Sequence, residues 1–314
     1  MTNREVRHEI TVAAAPETIY RLLADVEHWP TLFPPTVHVD VVERGGSSER
    51  IRIWATANGE PKSWTSRREL DPAGWRIDFR QEISSPPVAR MGGAWLLEPA
   101  ADGQTIVGLL HDYRAVDDDP AKLRWIDDAV DRNSRAELAA LKQNAELIAG
   151  ADERLFSFTD SVDIEGDAKD VYGFLNDAGR WPDRLPHVGR VVLTEEVPGL
   201  QVLEMDTRTK DGSVHTTRSV RVGFPDHTLV YKQTTLPPLM SLHTGRWTLG
   251  PSATGCTVSS QHTVVINTEN IASVLGPHAG TAEAKEFVRT ALSANSLATL
   301  GHAKDYAERL RGDR

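Results

Sequence analysis

The sequence predicts two consecutive α+β units, each a strongly curved antiparallel sheet wrapped around a long C-terminal helix. Three observations lead there: a gapless internal repeat, a run of strand patterns inside each copy, and a long helical pattern that closes each copy. The repeat sets the architecture. Glu9 to Pro30 (EITVAAAPETIYRLLADVEHWP) lies on Ser161 to Pro182 (SVDIEGDAKDVYGFLNDAGRWP), bringing Tyr20, Leu23, Asp25, Trp29 and Pro30 onto Tyr172, Leu175, Asp177, Trp181 and Pro182. The same offset pairs Gln81 with Gln233 and Trp95 with Trp247. A chain of 314 residues is long for one domain and comfortable for two of about 150. The copies divide it into residues 1–150 and 151–314, with a short connector near Gly150 to Leu155.

Within a copy, alternating Ile10 and Val12 predict a first strand, and Pro16 opens a short helix that reaches Asp25. Strand patterns then follow from Val37, Arg50, Ser63, Trp75, Ala94 and Thr105, separated by Gly, Asp and Pro clusters. The closing helices run from about Asp119 to Ala149 and from Thr281 to Leu310. In the first, Ile126, Val130, Leu141, Ala145 and Ile148 recur every three or four residues and form an apolar stripe.

Composition excludes several classes of function. The 39% hydrophobic and 25% charged residues describe an ordinary folded protein. A net charge of −10 with dispersed basic residues leaves no footprint for nucleic acid or an anionic membrane. The polar N-terminus, MTNREVRHEI, and the absence of a long apolar run predict a cytoplasmic chain that spans no membrane. Cys256 is the lone cysteine and reads as a small core residue. The sequence has no glycine-rich phosphate loop, no His-Glu-x-x-His and no Gly-x-Ser-x-Gly, so neither a metal nor a cofactor is expected.

Side chains two apart on a strand share a face, so Trp64, Ser66 and Arg68 point one way, as do Thr217, Ser219 and Arg221. An arginine inside a pocket keeps its charge and needs an anion or carbonyl oxygens to bind. His111, on the last strand of the first copy, is the candidate general acid/base. The same offset puts Thr263 there in the second copy, with His262 on the opposite face, so the first copy is expected to carry most of the chemistry. Asn133 and Asn295, each followed by a serine, are expected to interrupt the apolar stripes and face a cavity.

This order of elements resembles the helix-grip superfamily of START-like proteins. More narrowly, each copy resembles the polyketide aromatase/cyclases that act beside type II polyketide synthases. The likeness rests on Trp29-Pro30 and Trp181-Pro182, on Ser66-x-Arg68 and Ser219-x-Arg221, and on Trp95 and Trp247. The spacing supports the pairing: 37 residues from Trp29 to Ser66 and 38 from Trp181 to Ser219, then 27 from Arg68 to Trp95 and 26 from Arg221 to Trp247. The resemblance departs at Thr36 and Val188, where the family often has an aromatic residue.

The tandem arrangement resembles the di-domain branch, which implies first-ring cyclisation and aromatisation of a poly-β-ketone. The substrate is expected to arrive on an acyl carrier protein, with other synthase components as partners. Arg68, Ser66 and His111 are then the catalytic candidates: Arg68 stabilises an enolate, Ser66 orients a carbonyl, and His111 moves the proton. Arg68 is expected to be removable with little loss of stability. Trp29, Trp64, Trp95, Asn133, Trp181, Ser219, Arg221, Trp247 and Asn295 are the candidate substrate-binding residues. The alternative is a non-catalytic START-like carrier or receptor for a hydrophobic small molecule, against which the Ser-x-Arg pairs weigh.

Overall fold

A computed structural model of the chain describes residues 3–57, 59–84, 86–149, 153–208, 212 and 214–313. Contacts divide the chain into two compact units, Met1–Asp152 and Glu153–Arg314. The expected boundary between residues 150 and 151 lies outside the described residues.

The first unit runs β1 (Arg4–Val12), α1 (Pro16–Ala24), α2 (Trp29–Leu32), β2 (Thr36–Gly45), β3 (Ser48–Ala57), β4 (Glu60–Asp71), β5 (Arg76–Gln81), β6 (Val88–Pro99), β7 (Thr105–Ala115) and α3 (Pro120–Ala149). The second runs β8 (Leu155–Ile164), α4 (Ala168–Asn176), α5 (Trp181–Arg184), β9 (Val188–Val197), β10 (Leu200–Arg208), β11 (Val214–Phe224), β12 (Thr228–Thr235), β13 (Met240–Pro251), β14 (Cys256–Ile266), α6 (Ile271–Leu275) and α7 (Thr281–Gly312). Each unit has one seven-stranded antiparallel sheet, ordered β1-β7-β6-β5-β4-β3-β2 and β8-β14-β13-β12-β11-β10-β9. The first strand therefore pairs with the last, and the long helix packs across that pair: α3 on β1 and β7, α7 on β8 and β14.

Pro16 opens α1, where its missing N–H costs nothing. Ile19, Tyr20 and Leu23 on one face of α1 are buried against the sheet. Asp25 ends the helix, and its carboxylate accepts from the Glu27 N–H (3.2 Å) to start a 3-10 turn that leads into Trp29-Pro30. On α3 the buried Ile126, Val130, Ser134, Leu138, Leu141 and Ala145 follow a four-four-four-three-four spacing that makes one stripe, with the buried Ala140 at its flank. The side chain of Ile148 lies outside those described.

One contact in each sheet depends on glycine. Gly93 pairs with His111 across β6 and β7, and a Cβ there would stand 1.9 Å from the Leu110 carbonyl oxygen and 2.8 Å from the Phe79 ring. Gly245, opposite His262, would place a Cβ 2.1 Å from the Tyr231 ring. In both sheets the missing side chain lets an aromatic ring lie across the strand beside the histidine. Gly93→Ala should therefore lower stability by about 1–3 kcal/mol through overpacking, read as a drop in melting temperature. An unchanged melt would show that the strand relaxes freely at this point.

Candidate functional site

The first unit holds a cavity of about 310 Å³ between the concave face of the sheet and α3, open to solvent beside the exposed Trp125 and Asn133. Its lining is mainly apolar and aromatic, with Trp29, Phe33, Trp64, Phe79, Trp95 and Trp125 among the walls. Phe33 links two of these walls, edge-on to Trp29 (5.4 Å between centroids) and stacked on Trp95 (6.1 Å). Ser66, Arg68, His111 and Asn133 also reach it. All seven first-copy candidates therefore share one chamber. The second-copy candidates do not line it, because the lining comes wholly from the first unit.

Arg68 is 1% exposed and heavily engaged. Its Nε donates to Glu49 Oε1 (2.9 Å), Nη1 to the Leu23 carbonyl (2.8 Å), and Nη2 to the Ala24 carbonyl (2.7 Å) and again to Glu49. The guanidinium lies over the Trp29 ring at 5.1 Å, and the Trp29 indole N–H donates to the same Leu23 carbonyl (3.3 Å). The last turn of α1 has carbonyls with no helical partner, and a cation at that end is favoured by the helix dipole. Arg68 and Trp29 supply the donors. Four of the five guanidinium N–H groups are thus committed to protein acceptors. Ser66 is similarly occupied, donating to the Arg80 carbonyl (3.1 Å).

Glu49 was not a sequence candidate. It stands directly opposite Arg68 in the β3–β4 ladder and is 1% exposed. The signal was present: Glu49 alternates with Ile51 and Ile53, both buried and both on the cavity wall, so its period places a carboxylate on the inner face.

His111 lies edge-on to Phe79 (5.5 Å) and 3.4 Å from Ser134 Oγ on α3. Burial, and then the nearby His8, lowers its pKa to about 4, so the ring is neutral near pH 7. Asn133 is exposed at the cavity margin, and Ser134 occupies the buried stripe. One turn beyond Ser134, Glu137 also lines the cavity, and no hydrogen bond to its carboxyl is formed among the described residues. Burial alone pushes its pKa up to about 7. Glu137 is a second residue that sequence reading missed.

The second unit corrects two expectations. The ladder pairs Gly108 with Glu9 and Ser259 with Ser161, which makes His262, and not Thr263, the counterpart of His111. The turn between Pro99 and Thr105 is one residue longer than that between Pro251 and Cys256, and a one-residue shift exchanges the two faces of a strand. His262 points inward, 2% exposed and 2.7 Å from Ser296 Oγ, while Thr263 bonds Ser157 (2.8 Å) outside. The histidine–serine pair therefore recurs in both units. Asn295 is exposed, and the buried stripe of α7 runs through Ser296.

Around His262 the inner face is polar. His243 Nε2 lies 2.9 Å from His262 Nδ1, Tyr231 OH 3.2 Å from the same nitrogen, and Ser260 Oγ 3.2 Å from Nε2. Burial holds His243 at a pKa of about 3 and His262 at about 4, so both are neutral near pH 7. Trp181 and Trp247 belong to the second unit's core, Ser219 is buried in β11 opposite Leu203 and Gln233, and Arg221 lies 5.2 Å from the Trp181 ring.

A curved antiparallel sheet closed by a long helix over a mainly apolar chamber defines a START-like small-molecule pocket protein. The chain belongs to the family described as "Polyketide cyclase / dehydrase and lipid transport", which matches residues 3–146 and again 156–308. It is 50% identical to the granaticin polyketide synthase bifunctional cyclase/dehydratase of Streptomyces virginiae, covering 95% of this chain and 98% of that one. It is 45% identical to the actinorhodin polyketide synthase bifunctional cyclase/dehydratase of Streptomyces coelicolor, covering 95% of both. Among solved structures it resembles the di-domain ARO/CYC BexL from the BE-7585A biosynthetic pathway (TM-score 0.90, 65% identity, 97% of this chain and 99% of that one). It also resembles the di-domain ARO/CYC StfQ from the steffimycin pathway (TM-score 0.88, 32% identity, 98% and 99%).

Two outcomes follow. Arg68→Ala leaves the buried Glu49 carboxylate with only Arg44 (3.1 Å) as a cationic partner among the described residues and removes the donor to the Ala24 carbonyl, so it should cost about 1–3 kcal/mol of stability in a denaturant melt, against the earlier expectation. Replacing Arg68 and Glu49 together by apolar residues should recover most of that loss. Glu137 has a folded pKa raised from 4.5 to about 7, so the stability tied to its protonated form is complete below about pH 4.5 and is lost as pH rises through 7. Glu137→Gln should therefore melt higher than the parent at pH 8 and level with it at pH 4, in melts run across that range.

Proposed function

We propose that this chain is a polyketide aromatase/cyclase that holds a poly-β-ketone in the first unit's cavity, closes its first ring by an aldol step and dehydrates the product. One observation carries the reading. A largely apolar chamber between the sheet and α3 presents a partly buried carboxyl of pKa about 7, Glu137, one helical turn from the neutral His111–Ser134 pair. Relatives matched over nearly the whole chain are named cyclase/dehydratases, which favours an enzyme over a carrier.

The chemistry needs proton transfer and confinement. A methylene flanked by two carbonyls loses a proton, its carbon attacks another carbonyl of the same chain, and the resulting alkoxide takes a proton. A second C–H proton is then removed and the hydroxyl leaves as water, giving the unsaturated ring. Holding the two reacting carbons together supplies much of the rate, because the free chain has many alternative folds. A base whose pKa matches the working pH is the most effective one. Glu137 fits that description better than His111, whose ring is protonated only in acid.

In this scheme Glu137 removes the methylene proton, and its acid form returns a proton to the departing hydroxyl. His111, oriented by Ser134 and Phe79, donates a hydrogen bond to the carbonyl that is attacked. Arg68 holds the closed end of the chamber, with one N–H remaining for a substrate oxygen, and Ser66 fixes the strand beside it. Trp29, Trp64 and Trp95 form the walls, and Asn133 stands at the mouth. The substrate comes on an acyl carrier protein, and the enzyme works in the cytoplasm beside the other synthase components.

Glu137→Gln should lower the yield of aromatised product by on the order of a hundredfold, measured with a minimal polyketide synthase supplying the chain. In the parent the single-turnover rate should rise with pH and level off above about 7, and the variant should lack that inflection. A variant with normal rate and a normal inflection would remove Glu137 from the mechanism and return the proton to His111.

A further inference from the structure

The two units differ in how they neutralise the same arginine. In the β10–β11 ladder Gln201 stands opposite Arg221, as Glu49 stands opposite Arg68 in β3–β4. Arg221 repeats the helix-end contact, donating from Nη2 to the Leu175 carbonyl (2.6 Å), and lies over Trp181. No carboxylate stands in Glu49's place, because the Gln201 amide is neutral and spends its N–H groups on the Asn176 carbonyl (3.2 Å) and the Glu195 carboxylate (2.7 Å), which is held beyond direct reach of the guanidinium. Among the described residues no carboxylate pairs with Arg221, and its Nη1 has no hydrogen-bond partner although the residue is 2% exposed. Burial lowers its pKa to about 10, and Tyr172, Tyr231 and the Glu195 carboxylate beyond Gln201 offset only part of that.

Other groups on the same inner face are also unsatisfied. Gln233 Oε1 and His243 Nδ1 are buried without partners, and their first-unit counterparts, Gln81 and Met91, line the cavity. An unpaired buried guanidinium is among the costliest arrangements a fold can keep, and it is relieved by an anion. The planar fork of arginine suits a carboxylate, and the Trp181 indole against which it lies suits an aromatic body. A phosphate would bring a second charge with no second cation among these residues.

We propose that the interior of the second unit is an anion-binding site in which Arg221 Nη1 receives the carboxylate of an aromatic acid. The site is separate from the first unit's cavity and does not depend on the cyclase reading. The probe is 1-naphthoate, titrated into the full chain by calorimetry, with 1-naphthalenemethanol as the neutral comparison. Naphthoate should bind saturably and at least about tenfold more tightly than the alcohol. Gln201→Glu supplies the carboxylate that the first unit already has, so it should weaken naphthoate binding about tenfold or more while raising the melting temperature. Arg221→Gln should lose the binding as well, and Glu49→Gln should leave it in place. Equal affinity for acid and alcohol, or full affinity in Gln201→Glu, would overturn the proposal, as would naphthoate binding lost only in Glu49→Gln.

Discussion

The architecture hangs on an arginine that grips the end of a helix. Arg68 rises from β4, ties off the carbonyls of Leu23 and Ala24, takes its counter-charge from Glu49 on β3, and supports the ring of Trp29 from the turn that follows. One side chain thereby joins two strands, a helix and the Trp-Pro turn at a point where backbone acceptors would otherwise be buried without donors. Since the chamber is bounded by the same residues, its closed end is as rigid as this cluster. The proposed chemistry lies instead at α3, where Ser134 and Glu137 occupy successive turns and the Glu137 carboxyl has no hydrogen-bond partner among the described residues.

The duplication keeps this frame and varies what faces inward. Phe79 is answered by Tyr231, Met91 by His243, and Glu49 by Gln201, each at the same ladder position. In the first unit these choices leave apolar walls and a neutralised arginine. In the second they bring Tyr231 and His243 within hydrogen-bonding reach of His262 and leave the arginine without its carboxylate. Two sheets of one topology thus hold interiors of different character, one with its arginine paired to a carboxylate and one with a histidine–tyrosine cluster beside an arginine that lacks that partner. The histidine–serine pair is common to both, so that pair alone does not distinguish their tasks.

Much of this was legible in the amino-acid order. The gapless repeat around Trp29 and Trp181, the alternation along each strand and the apolar stripe of α3 fixed the class of fold, and period two placed Ser66 and Arg68 on the inner face. What escaped were facts about pairs. Glu49 becomes the partner of Arg68 only once the β3–β4 register is known, and a carboxylate alternating with isoleucines is easily read as an edge residue. Glu137 looks like solvent decoration on an amphipathic helix until the cavity behind it is seen. In sequence Asn133 stands out in the apolar run more than Ser134 does, yet a helical face is set by angle and not by polarity, and the angle puts Ser134 on the buried stripe.

The shortened turn before β14 has a further meaning. Losing a residue in the middle of a strand would have turned every later side chain inside out, whereas losing it between strands left the paired segments in step and altered only the counting. Turns in such a sheet act as expansion joints: they absorb insertions and deletions so that the facing ladders need not. Comparison of the two halves by residue number therefore drifts with each joint crossed, while comparison by cross-strand partner does not. Descendants of one ancestral sheet can in this way diverge in length indefinitely and still deliver a histidine to the same serine.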